Sequence, residues 1–519
     1  MGRNLYLALL ALGLVAFGGC NAGPFGYPSS DDDDDAAYSD DDDDDDDDDD
    51  GAGDDDDSTL PPENGDEGGL GGGFPDDDDD DTPSDDDDDT PDDVEDDICE
   101  GAPTEPTSFY VSADDSNSQA QPAWIRSLIE GNSSWGSDPI RPYEFLNYYD
   151  FDFGAGTDVR IVPQLRETDD GLSLLVAVVG PDRVAAERRP MNLTFSLDLS
   201  GSMGGSGING MRDALEAIAP ELRLGDYVSV VEWSGSTNVI LDNHPITGPN
   251  DSTFLGVVNA IGSGGGTDLS SGLVRAYEIA EANASSSTLD RVVLISDGGA
   301  NLGETSADLI ALHAEDGESD GIYLAAIGTG GLQEALMNTV SDLGRGSYLF
   351  IDSDEEAERK LQGSAFLSAF DLAAREVQLQ VTLPESVVID VFSGEEISVD
   401  PEEVQPQHLA PNDAMLYHFE LVDCGDVSDW ATREIVLDLT WLDPVVGTAM
   451  SDSLTVSLQD LATGPADQVL KADAILAYTQ ALAGESPDLG VVAEALVASP
   501  SDPDLLEISS LLAALGFQP

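Results

Sequence analysis

Lysine is almost absent: 519 residues include only Lys360 and Lys471, and 18 Lys and Arg face 107 Asp and Glu. Nucleic-acid binding depends on clustered cations over phosphates, so a net charge of −89 excludes that class of partner. A P-loop sets its Lys between Gly and Ser or Thr, whereas Lys360 follows Arg359 and Lys471 follows Leu470. Nucleotide binding by that route is excluded too. Histidine is nearly as scarce. His244, His313, His408 and His418 lie without ligand spacing, which gives them structural or exposed roles. No G-x-S-x-G elbow occurs, since Ser206 in Gly204-Gly205-Ser206-Gly207 lacks the closing Gly and a strand before it. These absences argue against an enzyme.

The amino terminus has the charged, apolar, small-residue order of a secretory signal: Arg3, then thirteen largely apolar residues from Leu5 to Phe17, then Gly18-Gly19-Cys20. It is too short to span a bilayer permanently. Residues 1–19 read as a cleaved signal. A Cys directly after small residues resembles the lipobox of bacterial lipoproteins, which implies a lipid on Cys20 and membrane attachment in the cell envelope. Phe17 departs from that pattern, where Leu, Val or Ile is usual, and an ordinary signal with an incidental Cys is the alternative. Asn21, rather than Asp, favours the outer membrane.

Between Asp31 and Glu100 there are 36 Asp and 4 Glu and no Lys or Arg, which leaves −49 for the rest of the chain. Residues 40–50 are eleven consecutive Asp. Such a segment cannot bury enough apolar surface to offset its ordering entropy, and its charges repel, so 20–103 reads as a lipidated Cys followed by a disordered stalk. Its roughly 80 residues could reach on the order of 250 Å at ~3.3 Å each. Loose Ca²⁺ binding is the functional alternative, but no EF-hand spacing is present. With Cys20 lipidated, Cys99 and Cys424 remain, either as a disulfide pair in an oxidising compartment or as free buried thiols.

From about Arg188 to Gln362 apolar runs alternate with helical patterns. Strands are expected at 191–199, 226–233, 291–296, 322–327 and 347–351, with helices at 207–219, 270–282, 306–314, 332–343 and 353–362. Val292-Val293-Leu294-Ile295 lacks the alternation of a half-exposed strand, so it suits a parallel sheet buried on both faces. The pattern is a doubly wound α/β fold, whose ligands gather at the carboxyl ends of the strands. There the sequence places three loops rich in oxygen donors: Asp198-Leu199-Ser200-Gly201-Ser202, Gly262-Ser263-Gly264-Gly265-Gly266-Thr267-Asp268, and Ser296-Asp297-Gly298-Gly299. Two carboxylates and three hydroxyls are the hard set suited to Mg²⁺ with retained waters. Capping of the following helix by Ser200 and Ser202 is the bland alternative for the first loop alone.

The three loops resemble the metal-ion-dependent adhesion site of von Willebrand factor type A (VWA) domains. Asp198, Ser200 and Ser202 fall on its first loop, Thr267 on its second and Asp297 on its third. The resemblance implies a Mg²⁺ ion, with Mn²⁺ or Ca²⁺ as substitutes, and a protein partner that supplies a carboxylate to it. Gly299 departs from many relatives, which place Asp there. Asp268 is expected to cap the next helix or to face solvent. Ser108 to Phe153 resembles the segment preceding the VWA domain in a group of bacterial VWA lipoproteins, and about 365–480 resembles their C-terminal domain of unknown function.

Strand-like runs flank the α/β segment, at Val159 to Pro163 and Leu172 to Val179 before it and, strictly alternating, at 377–383, 435–441 and 454–458 after it. Two strands on one side are too few for a stable sheet, so both flanks are expected to form one antiparallel β-sandwich into which the VWA domain is inserted. A tail of helices closes the chain, led by Pro465 to Ala483 with Val469, Ala472 and Leu476 on one face, and followed by 489–498 and 504–515. The expected order is 1–19 signal, 20–103 stalk, 104–187 N-terminal segment, 188–364 VWA domain, 365–460 β domain and 461–519 helical tail. The sequence therefore implies a lipid-anchored envelope protein that binds a partner through the metal. A structural envelope protein, whose metal only orders loops, is the rival. A metal-dependent hydrolase ranks lower, because no second ion or base stands beside the first.

Overall fold

Apolar runs bounded by Gly and Asp become the strands of the computed structural model, which describes residues 98–114, 117–136, 138–169, 171–301, 303, 321–425 and 427–518. The signal segment, Cys20, the Asp runs and the helix expected at 306–314 with His313 lie outside these residues.

The described chain opens with strand β1 (Thr107–Ser112), helices α1 (Ala120–Glu130) and α2 (Pro142–Tyr148), and strands β2 (Arg160–Glu167) and β3 (Leu172–Val179). Strand β2 does not end at Pro163, as the sequence suggested, but runs on to Glu167 with Pro163 opposite Val176. Proline is tolerated there because β2 is the edge of its sheet, where a missing N–H need not break a ladder.

The α/β segment comprises β4 (Met191–Asp198), α3 (Ser206–Ile218), β5 (Tyr227–Trp233), β6 (Thr237–Pro245), α4 (Ser252–Ala260), α5 (Leu269–Asn283), β7 (Leu289–Ser296), β8 (Tyr323–Thr329), α6 (Glu334–Gly344), β9 (Tyr348–Ile351), α7 (Asp354–Leu361) and α8 (Ser364–Phe370). Its sheet runs β6-β5-β4-β7-β8-β9, parallel throughout except for the antiparallel β5–β6 pair. Every residue of β4 is buried, including the polar Asn192, Thr194 and Ser196 that alternate with its apolar residues, because the sheet is covered on both faces. One face packs Met211, Leu215, Phe254 and Leu361, and the other packs Leu273, Ala276, Met337 and Val340. From β4 the chain first builds outward to β5 and then returns to β7 on the opposite side. That reversal opens a crevice between the carboxyl ends of β4 and β7, where such sheets bind ligands.

After the α/β segment come β10 (Ala374–Leu383), β11 (Val387–Phe392), β12 (Glu396–Ser398), β13 (Gln407–Leu409), β14 (Ala414–Asp423), β15 (Glu434–Leu442) and β16 (Ala449–Ser457). Helices α9 (Leu458–Ala462), α10 (Asp467–Ala483), α11 (Leu489–Ala498) and α12 (Pro503–Ala514) follow. One antiparallel sheet has the order β12-β1-β10-β15-β16, with β13 beside β10, and the other has the order β11-β14-β3-β2. Each combines strands from before and after the α/β segment: β1 pairs with β10, and β3 pairs with β14 so that Val179 faces Ala414. Val111, Leu174, Val178, Leu379, Phe419 and Leu437 share one core between these sheets. A Cys99–Cys424 disulfide, Cα atoms 5.5 Å apart, ties the first described residues to the end of β14.

Helix α10 corrects the expectation of a single apolar face. It is buried on nearly every side, with Leu470, Ala474, Ile475 and Tyr478 as covered as Val469 and Ala472. The reason is its position, since α11 and α12 cover part of it while α2, β2 and β3 take the rest.

Candidate metal centre

The first loop leaves β4 at Asp198, a residue with no solvent exposure. The amide of Ser200 donates to Asp198 Oδ1 at 2.8 Å, and the Ser296 hydroxyl, from the end of β7, donates to Asp198 Oδ2 at 2.7 Å. The carboxylate is thereby fixed between the two central strands. Ser200 Oγ and Ser202 Oγ lie 2.9 Å apart. Neither serine caps α3, whose N-cap is Gly205 with no side-chain cap, so the bland reading of these hydroxyls is not what the structure adopts.

The second loop is stitched to the first. Gly264 N donates to Leu199 O at 2.7 Å and Gly201 N donates to Gly265 O at 3.2 Å. A Cβ on Gly201 would come within 3.3 Å of Gly265 O, so glycine permits this approach. The third loop is stitched to the second through Asn301. Its Oδ1 accepts from Thr267 N at 2.9 Å, its Nδ2 donates to Thr267 Oγ1 at 3.3 Å, and its amide donates to Thr267 O at 3.0 Å. Asp297 is held by the Gly299 amide on Oδ1 at 3.0 Å, and its carbonyl accepts from Gln333 N at 2.7 Å.

Asp198, Ser200, Thr267 and Asp297 are buried, whereas Ser202 is exposed, so the cluster opens to solvent on the Ser202 side. Gly299 guards that opening. A Cβ there would lie 3.1 Å from Asp297 Oδ1 and 3.7 Å from Ser202 Oγ, within the space the two oxygens border. The glycine that departs from the family pattern thus keeps a gap between two oxygen donors.

Charge completes the description. Burial pushes the Asp198 carboxyl up to about 6, with Asp297 adding to the rise while hydrogen bonds from Ser296 and Ser200 oppose it. Among the described residues no ion pair reaches Asp198 or Asp297. Two buried carboxylates without a side-chain counterion, beside three hydroxyls and a gap, form a donor set that fits a hard divalent cation. Among the described residues no group of three or more His, Cys, Asp or Glu is placed to hold a metal, so an ion here would rely on hydroxyls and water as well as on the two acids.

All five residues singled out in sequence converge on this crevice. Asp268 caps α5 instead, accepting from Ser271 N at 3.2 Å. Ser296, Asn301 and Gln333 are the supporting residues that sequence reasoning missed. Ser296 stands inside the third motif, but nothing in a linear pattern ties it to Asp198. The three described histidines lie elsewhere: His244 bonds Asp251 at 3.0 Å, His418 bonds Asp473 at 2.8 Å, and His408 packs edge-on against Tyr323.

Residues 192–364 match the family model of the von Willebrand factor type A domain. The chain is similar to uncharacterized protein YfbK of Escherichia coli (strain K12), 23% identical over 320 residues that cover 58% of this chain and 53% of that protein. It is also similar to inter-alpha-trypsin inhibitor heavy chain H3 of Mesocricetus auratus, 26% identical over 209 residues, 39% of this chain and 23% of that protein. The chain thus spans about half of the first relative and under a quarter of the second. Among solved structures, a von Willebrand factor type A protein from Catenulispora acidiphila is 16% identical with a TM-score of 0.42, covering 71% of this chain and 89% of that one. Proximal thread matrix protein 1 from the mussel byssus, described with a zinc-occupied MIDAS motif, is 17% identical with a TM-score of 0.28, covering 33% of this chain and 46% of that one. The match to the family model falls on the segment that carries the three stitched loops, and this chain contains a von Willebrand factor type A domain.

Proposed function

We propose that this protein is a cell-envelope lipoprotein, exported by residues 1–19 and anchored through Cys20, that binds an acidic protein partner at the VWA crevice. The observation that carries the reading is the pairing of Asp198 and Asp297, buried without a counterion beside Ser200, Ser202 and Thr267. These five side chains would hold Mg²⁺, or Mn²⁺ or Ca²⁺ in its place. The ion would supply an electrophilic position for one outside oxygen ligand, since two carboxylates balance its charge and three hydroxyls add none. Asn301 and Ser296 would keep Thr267 and Asp198 in place, and the exposed Ser202 side would admit the partner's carboxylate. The two antiparallel sheets are read as a sandwich that carries the inserted VWA domain, with residues 20–103 as the stalk that holds it away from the membrane.

The test is calorimetric titration of Mg²⁺ and Mn²⁺ into the full chain and its Asp198→Ala variant, with the variant serving to subtract diffuse binding by the Asp runs. The expected result is one saturable site present in the parent and missing from the variant, with both proteins folded. Identical titrations would remove the metal from the account and leave the structural envelope reading.

A further inference from the structure

A cavity of about 530 Å³ lies apart from the metal loops and shares no residue with them. One wall is the end of α2 and the stretch after it, from Leu146 to Ala155, and another is the run from Arg359 through α8. The third is where the chain leaves the β2/β3/β14 sheet at Val179-Gly180 and re-enters it at Asn412-Asp413-Ala414. A space of this size suits a small ligand.

Its polar lining is incompletely paired. Lys360, one of the chain's two lysines, is 8% exposed, and its Nζ donates to Gln119 Oε1 and to the Tyr148 carbonyl, each at 2.8 Å. Its Nζ also lies over the Tyr148 ring, 4.0 Å from the centroid, and among the described residues no carboxylate lies within ion-pair distance of it. Burial, then the neighbouring Arg359, pulls Lys360 down to about 8, which still leaves it charged at neutral pH. Asp413 also lines the cavity. Its Oδ2 accepts from Asn117 Nδ2 and its Oδ1 from Ala414 N, both at 2.9 Å, again with no cation in pairing distance. Burial pushes this carboxyl up. Two amide atoms repeat the pattern: Asn147 Oδ1 is a buried acceptor and Asn412 Nδ2 a buried donor, and neither has a partner.

An uncompensated buried charge is costly, and buried polar atoms are ordinarily bonded. Here a cation and an anion line one cavity and act on each other electrostatically without forming an ion pair, and two amide atoms beside them lack partners. Water can meet the hydrogen bonds but brings no charge. A molecule with a carboxylate at one end and an ammonium at the other brings both. Phe151 and Phe153 line the same space and are only half-buried, so they offer apolar surface to a side chain. We infer that the cavity binds a small zwitterion of the neutral α-amino-acid class, its carboxylate on Lys360 and its ammonium on Asp413.

Calorimetry on the full chain tests this with glycine, L-alanine, L-leucine and L-phenylalanine, beside two probes that each lack one charge of leucine: 4-methylpentanoate and 3-methylbutylamine. At least one amino acid should bind saturably, and both single-charge probes should bind at least about tenfold more weakly than leucine, because each forfeits a charge-assisted contact. Lys360→Met and Asp413→Asn should each weaken amino-acid binding by a similar factor and leave the Mg²⁺ isotherm unchanged. Should Lys360→Met fail to fold, the near-isosteric Asp413→Asn decides. No saturable heat from any of the four amino acids, single-charge probes as tight as leucine, or an unaltered affinity in Asp413→Asn would each overturn the inference.

Discussion

At the scale of single residues, the three loops of the crevice divide into oxygen-bearing residues that the sequence announces and supports that it conceals. Asp198, Thr267 and Asp297 follow apolar runs or a glycine-rich turn, and an oxygen-bearing side chain at the carboxyl end of a buried strand stands out by position alone. Asn301 carries no such mark, because its role depends on where the third loop lands against the second. Its side chain makes two hydrogen bonds to Thr267 and its backbone makes a third contact. An outer residue that orients a ligand usually matters about 10- to 100-fold in metal affinity. Asn301→Ala should therefore weaken Mn²⁺ binding by about that factor while the far-ultraviolet circular dichroism stays unchanged. An isotherm equal to that of the parent would mean that Thr267 is held by the backbone alone.

At the scale of elements, legibility follows burial. Strands β4 and β7 lie in the middle of the sheet, where the unbroken Val292-Val293-Leu294-Ile295 of β7 is readable as covered on both faces, whereas β4 alternates Met191, Leu193, Phe195 and Leu197 with polar residues that are buried as well. Strand β6 leaves a weak trace because it lies at the sheet edge, half covered, with Asn238, Asp242, Asn243 and His244 interrupting it. Strands β12 and β13 are three residues each, too short for any periodicity. Helices α1 and α2 are equally faint in sequence, since they begin on Ala-Gln-Pro and Pro-Tyr-Glu and lean on neighbours rather than on a strong pattern of their own. Helix α5 is readable, but its contact with β5 is not. A Cβ on Gly272 would lie 2.4 Å from the ring of Trp233, which is buried and fixed by its Nε1–H bond to Ser196 Oγ at 2.9 Å. Replacing a mid-helix glycine with alanine contributes about 1 kcal/mol of helix propensity, while overpacking a core costs about 1–3 kcal/mol. The tethered ring cannot step aside, so the collision wins. Gly272→Ala should destabilise the protein by up to about 2 kcal/mol in urea unfolding, and a stabilised variant would contradict this packing argument.

At the scale of the whole molecule, the unusual feature is how a chain so rich in carboxylates places its few cations. Both lysines are interior: Lys360 lines the cavity, and Lys471 bonds Asp502 and Asp504 at 2.8 and 2.9 Å. Several arginines likewise join elements distant in sequence, such as Arg126 with Asp352 and Glu356, and Arg359 with Asp504. Composition reveals the imbalance, but only the fold reveals that the cations act as internal ties. One such tie fastens the helical tail to the sheet that spans both flanks. Asp473 on α10 meets Arg166 of β2 at 2.5 Å, Ser173 of β3 at 2.6 Å and His418 of β14 at 2.8 Å. Burial alone would push this carboxyl up, but His418, then Ser173 and Arg166, outweigh it and hold the group below its usual value. A lowered folded-state value means that the ionised form stabilises the protein at any pH above the unfolded value, near 3.9, and that this contribution fades as pH falls through the folded value. Removing one partner of a buried pair costs about 3 kcal/mol, so Asp473→Asn should be less stable than the parent by roughly that amount at about pH 6. The other carboxylates titrate alike in both proteins, so the gap should close as the pH drops below about 4. Urea unfolding at a series of pH values reads this difference, and a gap that persists or widens in acid would show that Asp473 acts through packing and not through its charge.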